Sequence, residues 1–243
     1  MRVLVTGGGK RLGAAIARAV AAAGHVPVIH YRTSQAEAEA LAGELNGDAV
    51  PGDLADPSDV PALFARACEG GAVDGLVNSA SLFEYDAPAG PDAALAARLH
   101  AVNVVAPSLL AAALAGQGRG GAVVNLLDQK LANPNPDFYS YTLTKAALAQ
   151  ATVLMAQAFA PRVRVNAVSP GLTLPSGDQS AAEFEAVARA NLLRRPVGAE
   201  QVAAAVVYLL EAPSVTGQTL YVDSGQRFCP RDRDVMFEGR HRG

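Results

Sequence analysis

The chain has 243 residues, half of them hydrophobic and 18% charged, with a formal net charge of −3. That is enough apolar material for a large core, which excludes a disordered chain, and the slightly acidic balance offers no basic field for nucleic acid or an anionic membrane. Two cysteines, Cys68 and Cys229, make neither a disulfide framework nor a four-ligand zinc site, so free thiols and no metal are expected.

Met1 and Arg2 lead directly into a predicted strand at Val3–Thr6, which leaves no room for a signal peptide. A cytoplasmic location is the expectation. Further strands are predicted at Val26–His30, Asp48–Pro51, Gly75–Asn78, Ala122–Leu127, Val163–Val168 and Leu220–Val222. Helices are predicted at Leu12–Ala23, Gln35–Leu45, Ser58–Cys68, Asp92–Ala115, Ser140–Ala160, Ala181–Asn191 and Ala199–Leu210. The stretch Ala14–Gly24 is broken by Arg18 and too short to span a bilayer, so no transmembrane segment is expected. Strands alternating with helices predict an α/β fold, a doubly wound parallel sheet with helices on both faces.

Residues 1–225 read as one domain, with a cofactor half at about 1–127 and a catalytic and substrate half at about 128–225. Thr173–Ser180 is turn-rich and polar, as a loop over a site would be. The tail 226–243 is dense in charge and lacks either period. A solvated terminus is the favoured reading, and docking on a neighbouring subunit the alternative.

The first strand runs into Thr6-Gly7-Gly8-Gly9-Lys10-Arg11-Leu12-Gly13 and then a helix. Glycines there let backbone approach a pyrophosphate, and the helix start supplies free N–H groups. A plain tight turn is the alternative. The second strand ends in His30-Tyr31-Arg32-Thr33-Ser34, without the carboxylate that would hold a ribose 2′-hydroxyl. Arg32, Thr33, Ser34 and Lys10 suit a 2′-phosphate, so NADPH is favoured over NADH. Alternatively Arg32 is solvated and Ser34 merely caps the next helix. Asp53 and Leu54 follow the third strand, where an adenine edge would lie. Tyr141 and Lys145 are four apart and share a helix face, where an ammonium is expected to lower the phenol's pKa.

With these residues in view the chain resembles the short-chain dehydrogenase/reductase family over nearly its whole length. The resemblance rests on the Thr6–Gly13 turn, Asp53, Asn78-Ser79-Ala80, Asn103, Tyr141 with Lys145, the Pro170-Gly171 turn and Val222-Asp223-Ser224-Gly225. It implies a single Rossmann-type domain with a seven-stranded parallel sheet, usually in a homotetramer. It further implies Tyr141 as acid/base, Lys145 on the nicotinamide ribose, and Asn103 holding a water in a proton relay. Gly7, Gly13, Leu12, Tyr31, Asn78, Ser79, Ala80, Pro170, Gly171 and Leu172 would border the cofactor.

Four departures narrow the resemblance. Arg11 replaces a turn glycine; Asn78-Ser79-Ala80-Ser81 is followed by Leu82-Phe83; Asp128 stands where the family serine would be, thirteen residues before Tyr141; and the second strand ends as described. Together these look like the pteridine reductases and bacterial dihydromonapterin reductases. The implied function is NADPH-dependent reduction of a dihydropterin, with dihydrobiopterin, dihydromonapterin or dihydrofolate as candidates. An ionised Asp128 would repel a developing oxyanion, but a protonated one would deliver a proton to a ring nitrogen. Phe83 would stack on the pterin, with Arg11, Ser81 and Leu174 also bordering substrate. The blander alternatives are Phe83 as a core residue, Asp128 paired with Lys130 or capping a turn, and Leu172, Leu174 and Pro175 merely anchoring their loop. The competing functions are a generic carbonyl or alcohol dehydrogenase and a non-catalytic NADP(H)-binding regulator.

Overall fold

The alternation read from the sequence is present in the computed structural model, which describes residues 1–175 and 180–237. The polar loop expected over Thr173–Ser180 lies outside the described residues at 176–179, as does the tail at 238–243. The strands are β1 (Arg2–Val5), β2 (Val26–Tyr31), β3 (Asp48–Pro51), β4 (Gly75–Asn78), β5 (Gly121–Leu126), β6 (Val163–Pro170) and β7 (Thr219–Val222). They form one all-parallel sheet in the order β3-β2-β1-β4-β5-β6-β7. The order turns back between β1 and β4, so a crevice opens at the carboxyl ends of those strands. Every loop that the sequence marked for function leaves the sheet at that edge.

The helices are α1 (Arg11–Ala22), α2 (Gln35–Leu45), α3 (Val60–Ala67), α4 (Ala93–His100), α5 (Ala106–Gly116), α6 (Tyr139–Phe159), α7 (Ala181–Ala188) and α8 (Ala199–Glu211). In α1, Gly13, Ile16, Ala17 and Val20 are buried, the spacing of one helical face. Ile16 and Val20 meet Val202, Val206 and Leu210 of α8 beneath Val3 and Val5 of β1. On the other sheet face, Leu63 of α3, Leu110 and Leu114 of α5 and Met155 of α6 pack on Leu4, Val28 and Val123. Val3, Leu4 and Val5 have no exposed surface, as continuous apolar strands covered on both faces require.

Two expectations need correction. The single helix expected over Asp92–Ala115 is broken by a π-helical turn at Ala101–Val105, with the Ala106 N–H reaching back to the Ala101 carbonyl. Pro107 has no N–H to offer the carbonyl four residues earlier, that of Asn103, so the α ladder fails there. The run Ala93–Gly116 is also long and apolar enough to cross a membrane, with a mean hydropathy of 1.6, although the sequence reading found no such segment. Its inner face (Leu95, Leu99, Ala106, Leu110, Ala111 and Leu114) is spent on the protein core. Leu110→Ala should lower the unfolding free energy by about 2–5 kcal/mol at an unchanged urea m-value. A loss below about 1 kcal/mol would contradict this placement of α5.

Candidate active site

The turn between β1 and α1 is built for close backbone approach. Gly7 has φ +64°, and a Cβ there would sit 3.1 Å from Ala80 Cα. A Cβ on Gly13 would sit 2.2 Å from the Gly7 carbonyl oxygen. Helix α1 begins without a capping side chain or an acidic residue in its first turn, so its N–H groups and positive end remain available to a pyrophosphate. The Thr6 hydroxyl accepts from the N–H groups of Ser79 and Ala80, each at 3.0 Å, and thereby ties the loop after β4 to this turn.

His30, which the sequence reading passed over, holds the same turn from β2. The Gly7 N–H donates to Nδ1 at 3.1 Å and Nε2 lies 3.1 Å from the Gly52 carbonyl, so the ring is neutral with its proton on Nε2. Burial lowers its pKa. No local sequence signal marks this role, because both partners come from other strands.

At the end of β2 the expected cations are present on the surface. Lys10 pairs with Glu37 at 2.7 Å, and Arg32 lies 4.0 Å from Asp53. Exposed pairs of this kind hold weakly and leave both cations able to turn to a phosphate. Ser34 occupies the position before α2, yet its hydroxyl makes no capping bond. It lies 3.3 Å from where a Gly9 Cβ would be, beside the glycine turn, and Thr33 precedes it. Three residues expected to border the cofactor turn their side chains to other partners. Tyr31 packs with Ile29, Ala38 and Leu41, and Leu54 is buried among core residues including Val50 and Leu63. Asn78 spends its amide on Asn125 Oδ1 at 2.8 Å.

The chemical centre lies at the ends of β5 and α6. The Tyr141 hydroxyl donates to Asp128 Oδ2 at 3.0 Å, and Asp128 Oδ1 accepts from the Lys130 N–H at 2.8 Å. Lys145 donates to the Leu126 carbonyl at 2.8 Å, with its ammonium 5.7 Å from the centre of the Tyr141 ring. Asp128 does cap a turn, as one alternative held, and it also bonds the phenol. Burial raises the Asp128 pKa. Burial lowers that of Lys145 to about 8, against the pull of Asp128. The expected lowering of the Tyr141 pKa is reversed: burial first, then the Asp128 carboxylate, pushes it well above the usual value, and a Ser81 hydroxyl contact only partly offsets this. Both shifts favour the protonated form of the group concerned.

The Asn103 side chain is fully engaged. Its Oδ1 accepts from the Leu82 N–H at 2.9 Å and the Ser81 hydroxyl at 3.3 Å; its Nδ2 donates to the Leu82 carbonyl at 3.0 Å and the Thr144 hydroxyl at 3.1 Å. The side chain positions the Ser81–Leu82 loop against α6 and has no capacity left for a relay water. Only the main-chain carbonyl, which Pro107 cannot serve, is suited to that task. Asp86, another residue the sequence did not mark, accepts from the Ser140 N–H at 2.8 Å and the Ser140 hydroxyl at 2.5 Å. It caps the helix that carries Tyr141 from a distant loop.

A cavity of about 580 Å³ brings together Arg11, Leu12, Ser79, Ser81, Phe83, Asp128, Tyr141, Lys145, Pro170, Gly171, Leu172 and Leu174. Phe83 is 36% exposed there. One of its faces is taken by Phe138, at 4.1 Å between ring centres, and it meets Tyr141 edge-on at 4.7 Å. Arg11, at φ 52°, donates to the Pro175 carbonyl and so links the first turn to the loop after β6.

The described part of the tail, as far as Phe237, departs from the solvated state expected of it. Gln226 is buried and accepts from the Leu172 N–H at 2.8 Å, and Asp234, Val235 and Met236 line the cavity. Sequence periodicity cannot show such docking, because the anchors are single charges and single apolar residues.

A family model described as enoyl-(acyl carrier protein) reductase matches residues 9–227, nearly the whole chain. The chain belongs to the short-chain dehydrogenase/reductase family. It is 32% identical to pteridine reductase 1 of Leishmania tarentolae over 273 residues, covering 91% of this chain and 94% of that one. Among solved structures it is similar to FolM alternative dihydrofolate reductase 1 from Brucella suis, in complex with NADP, at 39% identity and a TM-score of 0.90, covering 95% and 96% of the two chains. The corresponding Brucella canis structure, also with NADP, gives 40% identity and a TM-score of 0.87, covering 93% and 94%.

The His30 clamp has a consequence for acid stability. Its folded-state pKa is lowered, so as pH falls below about 6.5 the unfolded chain binds the proton first and stability is lost. Urea unfolding at pH 7.5 and pH 5.5 should show a larger acid loss for the parent protein than for His30→Gln. Equal losses would contradict the clamp.

Proposed function

We propose that this protein is an NADPH-dependent reductase of a dihydropterin. The observation that carries the reading is the part-buried Tyr141–Asp128 hydrogen bond, at 3.0 Å, with the carboxyl in the place of a family serine. Reduction of a ring C=N bond sends a hydride to carbon and a proton to nitrogen. NADPH supplies the hydride when bound. This chain's task is then to hold a donatable proton beside the ring nitrogen. Burial raises the pKa of both Asp128 and Tyr141, which favours the protonated form that such a donor needs.

The glycine turn, the uncapped start of α1 and the backbone of Ser79 and Ala80 fit a dinucleotide pyrophosphate. Arg32, Thr33, Ser34 and Lys10 fit the additional 2′-phosphate, and no carboxylate terminates β2 to repel it. Lys145, whose ammonium donates to the Leu126 carbonyl beside the Tyr141 ring, would hold the nicotinamide ribose. The exposed part of the Phe83 ring offers a flat surface to a pterin. The pterin-reducing names of the Leishmania and Brucella relatives support the same substrate class.

One observation favours a second reading, a carbonyl reductase. Ser81 and Tyr141 both line the cavity, and the Ser81 hydroxyl lowers the cost of ionising the phenol, so two hydroxyls are at hand for a ketone oxygen. Asp128→Ser separates the two. A pterin reductase should lose about 10²-fold or more in kcat with dihydrobiopterin or dihydromonapterin, the usual size of a general-acid contribution. A carbonyl reductase should keep or gain rate on a ketone, with NADPH oxidation as the readout in both cases. In the unmodified enzyme, pterin turnover should fall as pH rises through the raised pKa of the acid. A midpoint within the ordinary aspartate range near 3.9 would contradict the reading.

A further inference from the structure

The described part of the charged tail is fastened to the loop that joins Asp128 to α6. Arg233 Nε donates to Asp137 Oδ2 at 2.6 Å, and the Asp234 N–H donates to the same oxygen at 2.8 Å. Lys130 Nζ lies 3.3 Å from Asp234 Oδ2 and 2.6 Å from the Asp137 carbonyl. Lys130 and Asp137 are 4% and 3% exposed. Opposite charges this deep are costly unless paired, and the side-chain charges that meet them come from the tail.

Apolar contacts accompany the ion pairs. Met236 and Phe237 pack on the cluster of Leu95, Leu99, Phe138 and Tyr141. The Phe237 ring lies 6.0 Å from that of Phe138, which itself stacks on Phe83. The strap therefore grips both ends of one loop. Lys130 lies two residues after Asp128, and Phe138 backs the aromatic wall of the cavity. Asp234, Val235 and Met236 themselves face into that cavity.

We infer that the segment Cys229–Phe237 is a substrate-side element of the active site, contributed by the same chain, which forms the outer wall of the pocket and positions the Asp128 loop and Phe83 for the ring being reduced. The inference rests on the reductase reading for the nature of that ring. Arg233 and Asp234 are positioning residues, and Val235 and Met236 set the shape of the wall. Cofactor binding, made by the opposite part of the crevice, is independent of the strap.

The test compares Arg233→Ala, Arg233→Lys and Asp234→Asn with the parent enzyme. Asp234→Asn keeps an acceptor for the Met236 N–H and is the milder probe where Arg233→Ala fails to fold. Arg233→Ala should raise KM for a dihydropterin about tenfold or more, the scale of a lost charge-assisted bond, with NADPH Kd within about twofold. Arg233→Lys should recover most of the KM. An unchanged substrate KM in folded Arg233→Ala and Asp234→Asn would overturn the inference. So would a parallel rise in KM and NADPH Kd, which would mark general loosening. If the parent enzyme turns over only a ketone, the pterin reading fails, and the strap is still judged by the same KM comparison on that ketone.

Discussion

A carboxyl buried against a phenol is the constraint on which the site is organised. Burial raises the pKa of both groups; the Asp128 carboxylate raises that of Tyr141 further, while the phenol's hydrogen bond partly offsets the rise at Asp128. The fold supplies what makes this arrangement tolerable. Strand β5 ends at Leu126, whose carbonyl fixes Lys145; two residues on, Asp128 caps the turn that follows. Asp86 and Asn103 then hold the helix and loop that face it. The chemistry thus sits on regular elements, with Lys145, Asn103 and Asp86 each held by hydrogen bonds of their own.

The parallel sheet converts this local arrangement into a binding crevice. All seven strands point their carboxyl ends to one edge, so the glycine turn after β1, the cations after β2, Ser79–Ala80 after β4, Asp128 after β5 and Gly171 after β6 converge without any of them being close in sequence. His30 and Thr6 fasten the cofactor side of that edge, and Gln226 reaches back from the tail to fasten Leu172 on the other. These fasteners are buried polar groups, each with its partners in place, which specify the loop positions more than they add stability.

Much of this was legible in the sequence. Strands β3 and β4 and helix α2 fall where their patterns placed them, because apolar runs bounded by turn residues are local signals. The glycine turn, Tyr141 with Lys145, and Asp128 were legible because their spacing carries chemistry. The π turn was missed although Pro107 announced a broken ladder, since the surrounding Ala and Leu residues read as unbroken helix. The roles of His30, Asp86 and the tail were not legible, because each depends on a partner brought close only by the fold: Gly7 with Gly52, Ser140, and the buried pair Lys130 and Asp137. The direction of the Tyr141 pKa was misread for a related reason. Four-residue spacing shows Lys145 beside the phenol but not the carbonyl that claims its ammonium or the carboxyl that meets the hydroxyl.

The proton on Asp128 is open to direct observation. With the side-chain carboxyl carbons isotopically labelled and Asp128→Asn used to assign the resonance, the Asp128 signal can be titrated by NMR with NADP and then with a dihydropterin bound. A midpoint above the ordinary aspartate value near 3.9, displaced further when the pterin enters, is the expected result. A midpoint at or below that value, indifferent to the pterin, would contradict a carboxyl kept protonated for a ring nitrogen.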